Sequence, residues 1–190
     1  SVREDFSLSI TSSKALLGHA KEIGITSLLL NSTCNRTELF GFSDDPKNFT
    51  KLLCLFSKGK TDLFNKLGYI IEGSKAIKHI FRVGSGLESQ ILGDFEIIGQ
   101  LKKSFYLSKK NEMVNGFMER MINSVIQASK KVKTQTGLSS GATSVSFAAV
   151  QYILQNIKEV SNKNILLFGA GKIGKNTCEN LIKHTKNDHI

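Results

Sequence analysis

The chain is poor in cysteine, in proline and in long apolar runs, and each shortage closes off a class of protein. Its three cysteines, Cys34, Cys54 and Cys178, are an odd number at wide spacing with no C-x-x-C pair. That pattern argues against both a disulfide framework and a structural zinc site, so a cysteine with a special role acts alone. Apolar runs such as Leu28–Leu30 and Leu52–Phe56 fall far short of the ~18 residues that suggest a bilayer-spanning helix. Ser1 to Phe6 has no basic stretch leading into an apolar one, so no secretory signal is read, and a cytoplasmic location is expected. There is no long polar low-complexity run and no internal repeat, which excludes a disordered tail and a fibrous array.

What is present describes a globular chain with an uneven charge. With 190 residues, against a soft figure of ~150 per domain, one complete domain and part of a second are expected. Apolar residues make up 40% and charged residues 22%, with a net charge of +10. Between Ile97 and Ser140 stand eight basic residues (Lys102, Lys103, Lys109, Lys110, Arg120, Lys130, Lys131 and Lys133) against Glu112 and Glu119. A basic face of this kind can neutralise phosphates, which makes RNA or DNA a candidate partner. The bland alternative is a solvated lysine-rich surface, and no aromatic-interleaved RNA-binding signature accompanies the lysines.

Periodicity predicts a mixed α/β order. Ser13 to Ile23 reads as a helix with Ala15, Leu16, Ala20 and Ile23 on its apolar side, reset by Gly24. Thr26–Leu30 and Glu38–Phe42 read as strands, joined by a polar connection that carries Cys34. Asp45 before the only proline, Pro46, suits a helix start, and Tyr69–Glu72 reads as a further strand. Ser74 is the expected cap of a helix presenting Ala76, Ile77, Ile80 and Phe81, with His79 at the margin and Gly84 and Gly86 at its end. Two longer helices follow, one carrying Ile97, Ile98, Leu101 and Phe105, the other Phe117, Met121, Val125 and Val132. Gly137–Gly141 reads as a linker before an amphipathic helix through Val145, Ala148, Ala149, Tyr152 and Ile153.

The last stretch changes character. Asn164 to Phe168 is a near-continuous apolar run, as expected of a parallel strand buried on both faces, and Gly169-Ala170-Gly171-Lys172-Ile173-Gly174 follows at once. Strand, G-x-G-x-x-G, helix is the context of a dinucleotide site. Gly169 would permit the tight turn, Gly171 the approach of a pyrophosphate and Gly174 close helix packing. A glycine-rich turn that binds nothing is the alternative. The residue that selects NADH or NADPH normally lies ~20 positions on.

Cys34 lies in a polar loop beside Arg36, whose guanidinium can favour a thiolate. Cys54 reads as core and Cys178 as packing on the last helix; most lone cysteines are inert. His79 reads as a boundary histidine. His19, His184 and His189 have no partner at metal-ligand spacing, so no metal is expected.

Three stretches carry a resemblance. Ser32-Thr33-Cys34-Asn35-Arg36-Thr37-Glu38, then His79 to Asp94, then Gly99-Gln100, resemble glutamyl-tRNA reductase in order and spacing. Lys130–Thr136 is similar to that family's basic helix end, and Gly141–Ser146 to the segment leading into its NADPH domain. The resemblance implies a ferredoxin-like N-terminal catalytic domain over residues 1–140, followed over 141–190 by a connecting helix and the first β-α unit of a Rossmann NADPH-binding domain. It implies that a cysteine thiolate attacks the ester of glutamyl-tRNA and that the thioester is reduced with NADPH to glutamate-1-semialdehyde, a tetrapyrrole precursor.

Carried over by position, Cys34 is the nucleophile and His79 a residue needed for activity. Thr33, Asn35, Arg36, Ser89, Asp94, Phe95, Glu96 and Gln100 fall on substrate-binding segments, and Gly169, Ala170, Gly171, Lys172, Ile173 and Gly174 on the NADPH loop. Implied partners are glutamyl-tRNA, glutamate-1-semialdehyde aminotransferase, and a second copy of the chain through a C-terminal domain. The sequence departs from the family at Leu87-Glu88-Ser89, commonly Leu-Asp-Ser, and at Gly93-Asp94-Phe95-Glu96, commonly Gly-Glu-Pro-Gln. A fragment is expected, without the first strand, competent in acyl transfer but poor in reduction. The competing readings are a non-catalytic RNA-binding module and a Rossmann dehydrogenase without covalent capture.

Overall fold

The computed structural model describes residues 2–33, 35–90, 92–94, 96–136, 138 and 145–185, the side chain of Lys172 excepted. Cys34, Phe95 and most of the Gly137–Ser144 stretch lie outside the described residues.

A hairpin forms the middle of the fold. Strands β1 (Leu28–Ser32) and β2 (Thr37–Gly41) pair antiparallel, with Leu29 opposite Phe40 and Asn31 opposite Glu38. Because side chains alternate along a strand, β1 sends Leu28 and Leu30 to one face and Leu29 to the other. On the first face they meet Leu16, Leu17, Ala20, Leu52 and Met113; on the second, Leu29 meets Ile80, Leu101, Phe105, Met118, Ile122 and Val125. The apolar run of β1 thus reflects burial on both sides of the hairpin.

Helices supply both layers. A short α1 (Val2–Asp5) precedes α2 (Ile10–Glu22), which is capped by Ser9 accepting from the Ser12 amide at 3.0 Å and ended by Gly24 at φ +84°. Its buried side is Ser13, Leu16, Leu17 and Ala20. The helix therefore starts three residues earlier than its apolar pattern suggests, and Ala15 and Ile23 face solvent. Helix α3 (Lys47–Phe56) begins after Pro46, with Asp45 Oδ1 accepting from the Lys47 amide at 2.9 Å; α4 (Thr61–Leu67) follows. On the other face lie α5 (Gly73–Gly84), α6 (Glu96–Lys110) and α7 (Gly116–Gln135). Helix α5 starts on Gly73 at φ +59°, so Ser74 is inside the helix and caps nothing. Asn115 caps α7 by accepting from the Met118 amide at 2.9 Å.

Two expected strands are not formed. Tyr69–Glu72 is irregular, and among the described residues the sheet has two strands. Asn164–Phe168 also pairs with nothing among the described residues, and Leu166 and Phe168 are 92% and 100% exposed. Both segments have strand composition, but a strand exists only where another backbone satisfies its ladder. Helices α8 (Val145–Asn156) and α9 (Lys172–Thr185) pack on each other, burying Val150 and Leu181, and Ser146 Oγ donates to the Ile173 carbonyl at 3.2 Å. The architecture is mixed α/β, helix-rich around a small sheet. No helix among the described residues is long and apolar enough to cross a membrane.

Candidate active site

The connection between β1 and β2 is tightly held on both sides of position 34. The Thr33 amide donates to the Arg36 carbonyl at 2.8 Å, and Thr33 Oγ1 accepts from the amides of Asn35 and Arg36, each at 3.2 Å. A threonine hydroxyl that satisfies two loop amides fixes a turn which the backbone alone would leave unpaired. Arg3 of α1 adds a contact to Asn35 Oδ1 at 3.2 Å. Cys34, the expected nucleophile, lies outside the described residues; its two neighbours on either side are placed.

Alternation along β2 then puts Glu38 and Phe40 on one side, where they meet α5, with Arg36 just before the strand reaching Glu38. The Glu38 side chain is only 7% exposed, and its Oε1 is shared. Tyr69 donates its hydroxyl to that oxygen at 2.5 Å, His79 Nε2 lies 2.7 Å from it, and Arg36 Nη1 3.4 Å from it. A carboxylate only accepts, so Nε2 carries the proton and donates. The His79 ring is stacked on Phe40 at 6.2 Å between centroids and met edge-on by Tyr69 at 5.7 Å.

Arg36 reaches further. Its Nη2 donates to the Glu88 carbonyl, tying the hairpin to the turn after α5, while Arg82 pairs with the Glu88 carboxylate. That hydrogen bond holds the Glu88 carboxyl below its ordinary pKa, against a smaller opposing effect of burial. Although Tyr69 as a residue is exposed, partial burial of its hydroxyl, then the hydrogen bond to Glu38 and the charge behind it, raise its pKa. Glu38 Oε2 and Arg36 Nε are buried with no hydrogen-bond partner among the described residues.

These groups stand at the polar end of an open cleft of about 1220 Å³, with Phe42, Phe49, Phe64 and Met121 along its apolar part. Asn35, Arg36 and His79 line it, whereas Thr33, Ser89, Asp94, Glu96 and Gln100 do not. Ser89 follows Glu88 in the turn that Arg36 grips. Asp94 has a structural task, since its Oδ1 accepts from the Glu96 amide at 2.9 Å at the start of α6. Glu96 is exposed there, and Gln100 is half-buried one turn on. Phe95 lies outside the described residues.

The glycine stretch follows a segment that is unpaired among the described residues, in place of the expected strand, and leads into α9. Gly169 sits at φ +112°, and a Cβ on Gly174 would lie 1.9 Å from the Gly169 carbonyl oxygen, so only glycine fits there. Gly171 faces open space, and α9 begins directly after it. Cys54 and Cys178 are half-buried free thiols. Among the described residues no group of three metal-ligating side chains comes together.

Sequence reasoning missed Glu38 and Tyr69. Glu38 was within reach, because it lies two residues after Arg36 in the chain. Tyr69 carried no signal, since it meets Glu38 across 31 positions of chain.

The model of the glutamyl-tRNA(Glu) reductase N-terminal domain family matches residues 1–136. The chain belongs to the glutamyl-tRNA reductase family. It is 59% identical over its whole length to glutamyl-tRNA reductase of Christiangramia forsetii and 58% identical to that of Flavobacterium psychrophilum, covering 45% and 46% of them. Among solved structures it is similar to glutamyl-tRNA reductase from Methanopyrus kandleri, with a TM-score of 0.68 and 27% identity over 96% of this chain and 43% of that one. The chain therefore spans a little under half the length of these members of the glutamyl-tRNA reductase family.

Proposed function

We propose that this chain is the catalytic portion of an NADPH-dependent glutamyl-tRNA reductase, which commits glutamate to tetrapyrrole synthesis, and that Cys34 is its nucleophile. The observation that carries the reading is the cluster at the base of the Cys34 loop. An imidazole, a buried carboxylate and a guanidinium converge where that loop meets α5, in a chain whose first 136 residues match the family's N-terminal domain.

In the proposed reaction the Cys34 sulfur attacks the ester carbonyl carbon of glutamyl-tRNA. The bond to the terminal ribose oxygen breaks, that oxygen takes up a proton, and a glutamyl thioester remains. A thioester is a better hydride acceptor than the ester it replaces, so covalent capture divides one hard step into two easier ones. Because Nε2 of His79 is committed to Glu38, a proton moved for the substrate passes through Nδ1. Arg36 is the proposed partner of the substrate's side-chain carboxylate, through the Nη hydrogens not given to Glu38 and the Glu88 carbonyl. Asn35 borders the same space, and Ser89, Asp94, Phe95, Glu96 and Gln100 are proposed substrate-side residues on the family pattern.

For the cofactor, the crowded Gly169–Gly174 turn fits a pyrophosphate loop, with Ala170, Lys172 and Ile173 between the glycines. When bound, NADPH supplies the hydride that takes the thioester to glutamate-1-semialdehyde. The exposed lysines of α6 and α7 are proposed to meet the tRNA backbone; Lys109 is held back by Glu119 at 2.5 Å. A cytoplasmic location, transfer of the aldehyde to the aminotransferase and pairing with a second copy through a C-terminal domain complete the proposal, with the domain division at residue 140.

The test is intact-mass analysis, quenched in acid, after mixing with glutamyl-tRNA. A glutamyl adduct that hydroxylamine removes and Cys34→Ser lacks is the expected result. Cofactor-dependent reduction that survives Cys34→Ser would instead identify a dehydrogenase without covalent capture. Tight tRNA binding with no adduct, in a chain extended to the length of its relatives, would identify an RNA-binding module.

A further inference from the structure

We propose that Tyr69 is a positioning residue for His79, acting through the Glu38 carboxylate that both side chains share. The inference rests on the reading of His79 as a residue of the reaction, and it adds a group from a segment that neither the motifs nor the expected site include.

Two donors converge on one oxygen. The Tyr69 hydroxyl and His79 Nε2 lie 2.5 Å and 2.7 Å from Glu38 Oε1, and they are 3.4 Å from each other. The Tyr69 ring also stands edge-on to the imidazole, at 77° between planes. The hydroxyl thus does two things. It holds the buried carboxylate where Nε2 must donate, which fixes the imidazole tautomer and leaves Nδ1 as the working nitrogen. It also shares the carboxylate's negative charge with the imidazole.

Other charged groups surround the ring. Arg36 stands on the hairpin side, Glu88 in the turn after α5, and Glu72, Lys75, Lys78 and Arg82 along α5 and its start, while α7 presents Met118 and Met121 to the cleft. All of them are retained when the Tyr69 hydroxyl is removed, so their field is common to the two proteins compared.

The decisive substitution is Tyr69→Phe, which keeps the ring and deletes the hydroxyl. In full-length protein labelled with 13C-histidine, and with the His79 signal assigned by His79→Asn, the imidazole is titrated by NMR. With the hydroxyl gone, fewer donors share the Glu38 carboxylate, so the midpoint should move upward relative to wild type. The acid limb of the pH profile for adduct formation should move up by the same amount. On a Glu38→Gln background, Tyr69→Phe should no longer shift the midpoint. A midpoint unchanged in folded Tyr69→Phe protein overturns the proposal, as does a shift that persists with Gln at position 38. If the midpoint moves but wild-type protein forms no glutamyl adduct, the Tyr69–Glu38–His79 coupling stands and the catalytic reading falls.

Discussion

Helix α5 reaches the core through a glycine packed directly against α7. A Cβ built on Gly84, the last residue of α5, would lie 2.3 Å from Val125 Cγ1 on α7, while Ile98 and Leu101 would be at ordinary contact distances of 3.5 and 3.6 Å. Gly84→Ala must therefore push α5 and α7 apart by about an ångström, or drive Val125 off its one comfortable rotamer. Overpacking of this kind costs about 1–3 kcal/mol, and the gain in helix propensity returns up to ~1 kcal/mol. The expected net loss is about 1–2 kcal/mol. Val125 is fully buried, so Val125→Ala alone should cost about 2–3 kcal/mol from two lost methyl groups and the space they leave. In the double variant the new methyl at 84 enters that space. Urea unfolding of the four proteins should then show the double variant more stable than the sum of singles by at least ~1 kcal/mol. Additivity to within ~0.5 kcal/mol would mean that the two helices do not meet at these residues, and the placement of α5, and with it of His79, would be wrong.

The glycine loop, the cysteines and Glu88 give three more tests. Gly174→Ala places a methyl 1.9 Å from a backbone oxygen that cannot move aside cheaply, so NADPH affinity of the full-length protein, followed by cofactor fluorescence, should fall on the order of a hundredfold while adduct formation at Cys34 is retained. An equal fall in both would refute the separation of the two sites. Iodoacetamide should label Cys34 well below pH 8, whereas half-buried Cys54 and Cys178 react slowly; equal, sluggish labelling of all three would count against the nucleophile. Because Arg82 lowers the folded-state pKa of Glu88, their pairing stabilises the fold above the ordinary carboxylate value and is lost as pH falls through the lowered one. The stability gap between wild type and Arg82→Gln should therefore shrink between pH 6 and pH 3, and a gap that widens on acidification would contradict the pairing.

Local pattern carried the elements whose burial follows from local periodicity, and it failed where a distant partner decides. The Leu28–Leu30 run and the spacing of Ile80, Leu101 and Val125 place these side chains in the core where they are found. Tyr69–Glu72 and Asn164–Phe168 have equally good strand composition, but composition says only what a strand would bury. Whether backbone pairs beside it is a non-local fact, and in both cases no strand forms. The same limit governs the site. Thr33, Asn35 and Arg36 lie within four positions, so their cooperation in one turn was legible; Asp94 lies in a motif stretch too, yet its carboxylate accepts from the Glu96 amide at the start of α6.

Glu38 separates the catalytic reading from the rival one. Lysines on α6 and α7 bind phosphate equally well from a solvated surface, and such binding requires nothing beneath the hairpin. Burying a carboxylate is unfavourable by several kcal/mol unless donors compensate it, and here a phenol, an imidazole and a guanidinium are all turned towards it. A fold under selection only to hold RNA would gain stability by replacing this cluster with apolar side chains, since apolar substitutes for buried ionic groups are often neutral or stabilising. The arrangement is better explained by an imidazole that must be held in one tautomer at the polar end of the cleft. That is why glutamyl adduct formation, more than tRNA affinity, is the measurement that discriminates between the two.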